Sequence, residues 1–74
     1  GLEGNPVLQR TVAALIALSA HRDAHIRGDA AHLLSLTHDS AVQPHLQRLL
    51  ADEVADVREI AREGLERLAA SAKP

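Results

Sequence analysis

The chain of 74 residues contains no cysteine, methionine, phenylalanine, tyrosine or tryptophan. Without cysteine there is neither a disulfide framework nor a thiolate metal site, and the redox compartment leaves no mark. Without aromatic rings, bases have nothing to stack on, and any core must come from Leu, Ile, Val and Ala, which bury less area per side chain. Such small side chains let helix backbones approach closely. An excess of one charge is also missing: eight Lys and Arg stand against ten Asp and Glu, a formal net charge of −2. That field is too mild to recruit nucleic acid or an anionic membrane. The apolar run Val12–Leu18 is too short to span a bilayer. A cation before it and small residues after it resemble a leader peptide, but its leucines align with a later helix. The four glycines, Gly1, Gly4, Gly28 and Gly64, are scattered and form no phosphate-binding loop.

What is present is helical periodicity. Asn5 and Pro6 form a start signal, with Asn as cap and Pro in the first turn. Leu8, Val12, Leu15, Ile16 and Ser19 then share one helical face up to about Ala20, and Ala13, Ala14 and Ala17 fill much of the other. A helix apolar nearly all round expects cover on more than one side. Asp23 caps a second helix with Ile26, Ala30, Leu33 and Leu34 on its stripe. Asp39 and Ser40 cap a third, carrying Val42, Leu46, Leu49 and Leu50, with Pro44 in its first turn. The fourth is predicted from about Asp52 to Ala70, with Val57, Ile60, Ala61, Leu65 and Leu68 on its stripe. Asp52, Glu53 and Asp56 near its start and Arg67 near its end suit the helix dipole. The connections are short, so consecutive helices run roughly antiparallel, and no strand pattern occurs.

An internal repeat gives the strongest signal. At an offset of 31, Leu15, Leu18, Ala20, Ala24, Arg27, Ala30 and Leu34 meet Leu46, Leu49, Ala51, Ala55, Arg58, Ala61 and Leu65, and Ile26 meets Val57. A gap-free register with matching apolar faces marks one supersecondary unit used twice. The second unit, with Pro44, Leu49, Leu50, Asp52, Val57, Arg58, Ala61 and Leu65, resembles a short HEAT repeat of the phycobilisome-lyase-like kind. The first keeps Leu18, Asp23, Ile26, Arg27, Ala30, Ala31 and Leu34 of the same pattern. The resemblance implies an all-α fold: an α-solenoid fragment of two stacked helix–turn–helix repeats, four helices in all. Residues 1–5 would be a flexible lead-in, 6–37 repeat one, 38–70 repeat two with a C-terminal capping helix, and 71–74 a tail. It also implies that a turn acid and a helix arginine link neighbouring repeats in a ladder, here Asp52, Arg27 and Arg58. His21 replaces the turn acid of the first unit, and Val54 the capping residue of the second, which leaves that ladder incomplete.

No constellation of residues supports catalysis. His21 and His25 are four apart, but Asp23 starts the helix between them, and His32 lies two turns beyond His25. No further ligand cluster completes a shell. His38 and His45 fall in a loop and an early helical turn. One HEAT-like enzyme family, deoxyhypusine hydroxylase, binds iron through His-Glu pairs directly after the Val-Arg. Those places hold Gly28-Asp29 and Glu59-Ile60 here. Ser19, Ser35, Ser40 and Ser71 have no poised histidine. The expectation is therefore a non-catalytic protein-interaction or scaffolding module with no cofactor and no nucleic-acid or membrane partner. The exposed apolar side of helix one suggests the C-terminal part of a larger protein. The alternatives are an accessory or regulatory domain packing on a catalytic domain of the parent chain, and a homodimer through helix one. A cytoplasmic location is favoured. By the resemblance, the second helices of the units line the partner-binding surface. That surface comprises His25, Gly28 and His32 from the first unit, and Asp56, Glu59, Glu63 and Arg62 from the second. It would be weakly acidic, favouring a basic or polar partner segment. Gly64 lies on the buried stripe, where it permits close helix approach, whereas Gly28 is expected on the exposed face with His25, His32 and Ser35.

Overall fold

The computed structural model describes residues 6–71, and their organisation follows from where the sequence supplies helix caps. Helix α1 spans Pro6–Leu18, α2 Ala24–Ser35, α3 Gln43–Leu49 and α4 Ala55–Ser71, with a 3₁₀ turn over Ser40–Val42 before α3. No strand occurs among the described residues. The lead-in over 1–5 with its Asn5 cap, the tail residues 72–74 and the Leu8 side chain lie outside the described residues. No helix among the described residues is long and apolar enough to cross a membrane.

Asp23 caps α2, its Oδ1 accepting from the His25 backbone N–H at 2.9 Å. Asp39 accepts from Ala41 N–H at 2.9 Å, and so starts the 3₁₀ turn rather than α3. Helix α3 follows with Pro44 in its first turn and is short in consequence. The fourth helix begins at Ala55, three residues after the predicted start. The Asp52 carboxylate accepts from Val54 N–H at 2.9 Å and holds this stretch as a loop. Between α2 and the 3₁₀ turn the chain reverses through His38, whose φ of 58° places it in the left-handed region.

Helix α2 occupies the middle of the molecule, packing against α1, α3 and α4, and α4 also packs on α3. The core is wholly aliphatic: Ala31, Leu34, Val42, Leu46, Leu49, Val57, Ala61 and Leu68 are buried together. Small residues set the spacing of α2 and α4. A Cβ on Gly64 would stand 3.0 Å from Ser35 Cβ and 3.4 Å from Leu46 Cδ1, the close approach expected for it.

Four expectations of exposure or burial are corrected. Gly28 and Ser35 are buried, not exposed, and a Cβ on Gly28 would meet Ile60 Cδ1 at 2.9 Å. Helix α4 covers this side of α2, which periodicity within α2 alone does not show. Leu33 and Leu50, expected on buried stripes, are about half exposed, because four helices leave those sides of α2 and α3 uncovered. Helix α1 packs chiefly on α2, so Val12, Leu15 and Ile16 are half-buried, and Val7 and Leu18 stay exposed.

Candidate functional site

Three arginines tie the first helical pair to the second. The Arg27 side chain reaches from α2 to the loop before α4, where Nε donates to Asp52 Oδ2 at 2.7 Å and Nη2 to Oδ1 at 3.0 Å. Its Nη1 donates to the carbonyls of His21 and Arg22 at 2.9 Å each. The bonded guanidinium holds the Asp52 carboxyl below the ordinary carboxylate value, against the opposing effect of burial, and Asp52 raises Arg27 in turn. Both side chains are about nine-tenths buried, and the two hydrogen bonds between them offset the cost of burying the charges. Arg48 of α3 donates to Ser19 Oγ at 3.0 Å, and Arg67 of α4 to Ser35 Oγ at 2.6 Å. Each serine is fully buried and donates its own hydroxyl to a carbonyl one turn back, Ile16 and His32 respectively. From periodicity, Ser19 belongs to the apolar face of α1 and Ser35 to the exposed face of α2, each without a poised histidine. Their long-range arginines, 29 and 32 residues away, are invisible to local periodicity.

The offset-31 register recurs in hydrogen bonds. Arg58 Nη1 donates to the Asp52 carbonyl at 2.7 Å, as Arg27 does to the carbonyl of His21, the residue in register with Asp52. His21 Nδ1 accepts from Asp23 N–H at 3.0 Å, as Asp52 Oδ1 does from Val54 N–H. The imidazole thus replaces the carboxylate as a turn acceptor, without its charge. Arg58 is exposed and bonds a carbonyl, not an acid.

A shallow depression of about 150 Å³ opens between the start of α2 and the start of α4. Ala24, Gly28, Val54, Val57 and Ile60 form its apolar lining, with His25, Asp29 and Asp56 completing it. The close fit of Gly28 and Ile60 brings the two helices together here. Of the residues expected on a partner surface, His25, Gly28 and Asp56 meet around this depression. His32 and Glu63 are exposed farther along α2 and α4 and do not line it. Glu59 and Arg62 belong to a separate exposed cluster in which Arg62 bonds both Glu59 and Glu66. Arg62 lowers the Glu59 carboxyl from its ordinary value, and Glu59 raises Arg62.

Asp29, Ala24, Val54 and Ile60 were not anticipated at this place. Asp29 carried one usable signal: it has no basic residue three or four positions away except His25 and His32. No ion pair is formed by Asp29 or Asp56 among the described residues. A second depression, about 270 Å³, lies by the far end of α4 and is lined by His38, Ser40, Gln43, Leu65, Leu68, Ala69 and Ser71. No three His, Asp or Glu side chains gather as a metal would require among the described residues. Comparison of the chain with protein-family models, curated proteins and solved structures finds no match.

Proposed function

We propose that the chain is a non-catalytic protein-docking module: two HEAT-like helix–turn–helix units stacked side by side, with the α2–α4 surface facing the partner. The observation that carries this reading is the junction of the two units. Arg27 binds Asp52 across it through two hydrogen bonds, and Arg48 and Arg67 each cross it to a buried serine. These links make a rigid platform from small aliphatic helices, and the depression opens on that platform where α2 meets α4. Rigid, preformed surfaces lose little conformational entropy on binding. The Arg27–Asp52 pair and the in-register bonds of Arg58 and His21 support the repeat reading of the architecture.

The experiment is a footprint. Twelve-residue peptides selected from a random display library against the folded chain are titrated in, and backbone amide shifts are followed by NMR. Docking on this platform predicts shifts confined to the first two turns of α2 and of α4. Shifts confined to α1, or no selectable peptide, defeat it.

One observation favours a second reading, in which α1 is the contact face. Val7 is 67% and Leu18 41% exposed on a helix whose Val12, Leu15 and Ile16 are only half-buried. A second copy of the chain, or a catalytic domain of a parent protein, would cover that face. Sedimentation equilibrium decides for or against the homodimer: a monomer at high protein concentration removes it.

A further inference from the structure

The depression between α2 and α4 is small. Pockets that hold small-molecule ligands or cofactors generally begin at about 300 Å³, twice the volume found here. It matches a single side chain better than a ligand. Its chemistry is also divided, with a floor of Ala24, Gly28, Val54, Val57 and Ile60 and carboxylates of Asp29 and Asp56 at the edge. Those two acids stand on different helices, and neither forms an ion pair among the described residues. The contrast with the exposed side of α4 is direct, since Arg62 there is already bonded to Glu59 and Glu66. Three arginines, Arg27, Arg48 and Arg67, are committed to the junction between the helical pairs and cannot serve the depression. The one basic group on its lining is His25, whose side chain is almost wholly exposed and lies 3.8 Å from Asp23, away from both unpaired acids in the ion-pair pattern.

An apolar floor of one-side-chain size with two unpaired carboxylates at its edge is complementary to a long basic side chain. Lys and Arg bury their methylene stems on apolar surface and keep the charged head at a polar rim. An anionic partner such as nucleic acid would meet repulsion from both acids. We propose that this depression is the specificity pocket of the docking surface, taking the stem of one lysine or arginine from a basic segment of a partner protein. The cation sits between Asp29 and Asp56, and Gly28 keeps the floor open. The inference rests on the docking reading above and adds the chemistry of the partner.

The test uses the same twelve-residue random display library panned against the full chain, with sequencing of the selected peptides. Affinities are measured for the wild type, for the double variant D29N/D56N and for G28A. The acids are exposed, so D29N/D56N keeps the fold, verified by its helical circular dichroism. In G28A the new methyl meets the flexible end of Ile60, another lining residue, at 2.9 Å, so the floor is altered while both acids stay in place.

The expected result is peptides enriched in Lys or Arg, with amide shifts at Ala24, Gly28, Asp29, Val57 and Ile60. Affinity falls at least about tenfold in D29N/D56N, as for loss of a close charge pair, and falls in G28A without loss of salt dependence. Selected peptides that shift the same amides but lack basic residues, or bind D29N/D56N as well as wild type, overturn the basic-segment inference and leave the docking reading standing. Peptides that shift only α1, or none selected at all, overturn both. Should G28A fail to fold, the charge variants still decide the outcome.

Discussion

Replacing Asp52 with alanine removes a single side chain and three hydrogen bonds: two from Arg27, at 2.7 and 3.0 Å, and one from Val54 N–H, at 2.9 Å. Removing one member of a buried ion pair costs about 3–5 kcal/mol when the other charge is left uncompensated. Two features reduce that figure here. The side chains of Arg27 and Asp52 keep 10% and 7% of their exposure, and Arg27 retains its bonds to the carbonyls of His21 and Arg22. A net cost of about 2 kcal/mol follows, just below the low end of that range. For a domain of this size each kcal/mol lowers Tm by about 4–8 °C, so D52A should melt roughly 8–16 °C below wild type. Thermal unfolding followed by helical circular dichroism measures it. The double replacement R27M/D52L should recover most of the loss, because it leaves neither charge unpaired. If D52A melts within about 2 °C of wild type, the junction is not held by this pair and the rigid-platform argument fails.

Acid should act on the same pair. The Asp52 carboxyl is held below its unfolded value, so the unfolded chain binds more protons in acid. Its contribution is present above the unfolded carboxylate value and is lost as pH falls below about 4 through the lower folded value; denaturant titrations of wild type and D52A should converge there. G64A should destabilise by about 1 kcal/mol, since overpacking outweighs the gain in helix propensity, and its Cβ meets the rigidly placed Ser35 Cβ. G28A meets only the flexible end of Ile60 and should be close to neutral in the same denaturant assay. H38G should gain about 0.5 kcal/mol, because glycine relieves the left-handed conformation at this turn, a φ of 58°; an unchanged or lower Tm counts against that strain. L46A, at a fully buried position, should cost about 2–5 kcal/mol, read as a lower midpoint in denaturant titration followed by circular dichroism.

The helices were legible because their signals are local. Asp23 caps α2 through an N–H two residues away, and the stripe of Val57, Ala61 and Leu68 recurs at helical steps and is buried as expected. Asp52 misled for a related reason. An acid before an apolar stripe reads as a helix start, but its carboxylate is drawn to Arg27, 25 residues earlier, and the helix waits until Ala55. The candidate site was half legible. His25, Gly28 and Asp56 share helix faces that the repeat aligns, whereas Asp29, Val54 and Ile60 join them only because α4 lies against α2. Gly28 shows the limit most clearly, since an exposed position on an isolated helix became a buried contact once Ile60 arrived.

By itself the sequence determined that the chain is helical and that its core is aliphatic, and it carries the residue match at an offset of 31, because caps, periodicity and composition act within a few residues of each other. Tertiary structure alone decided that Arg48 and Arg67 meet Ser19 and Ser35, that Gly28 is covered, and that Asp29 and Asp56 flank one depression. These depend on the distance and angle between two helices, set by the summed packing of many side chains along α2 and α4. No local pattern encodes that sum.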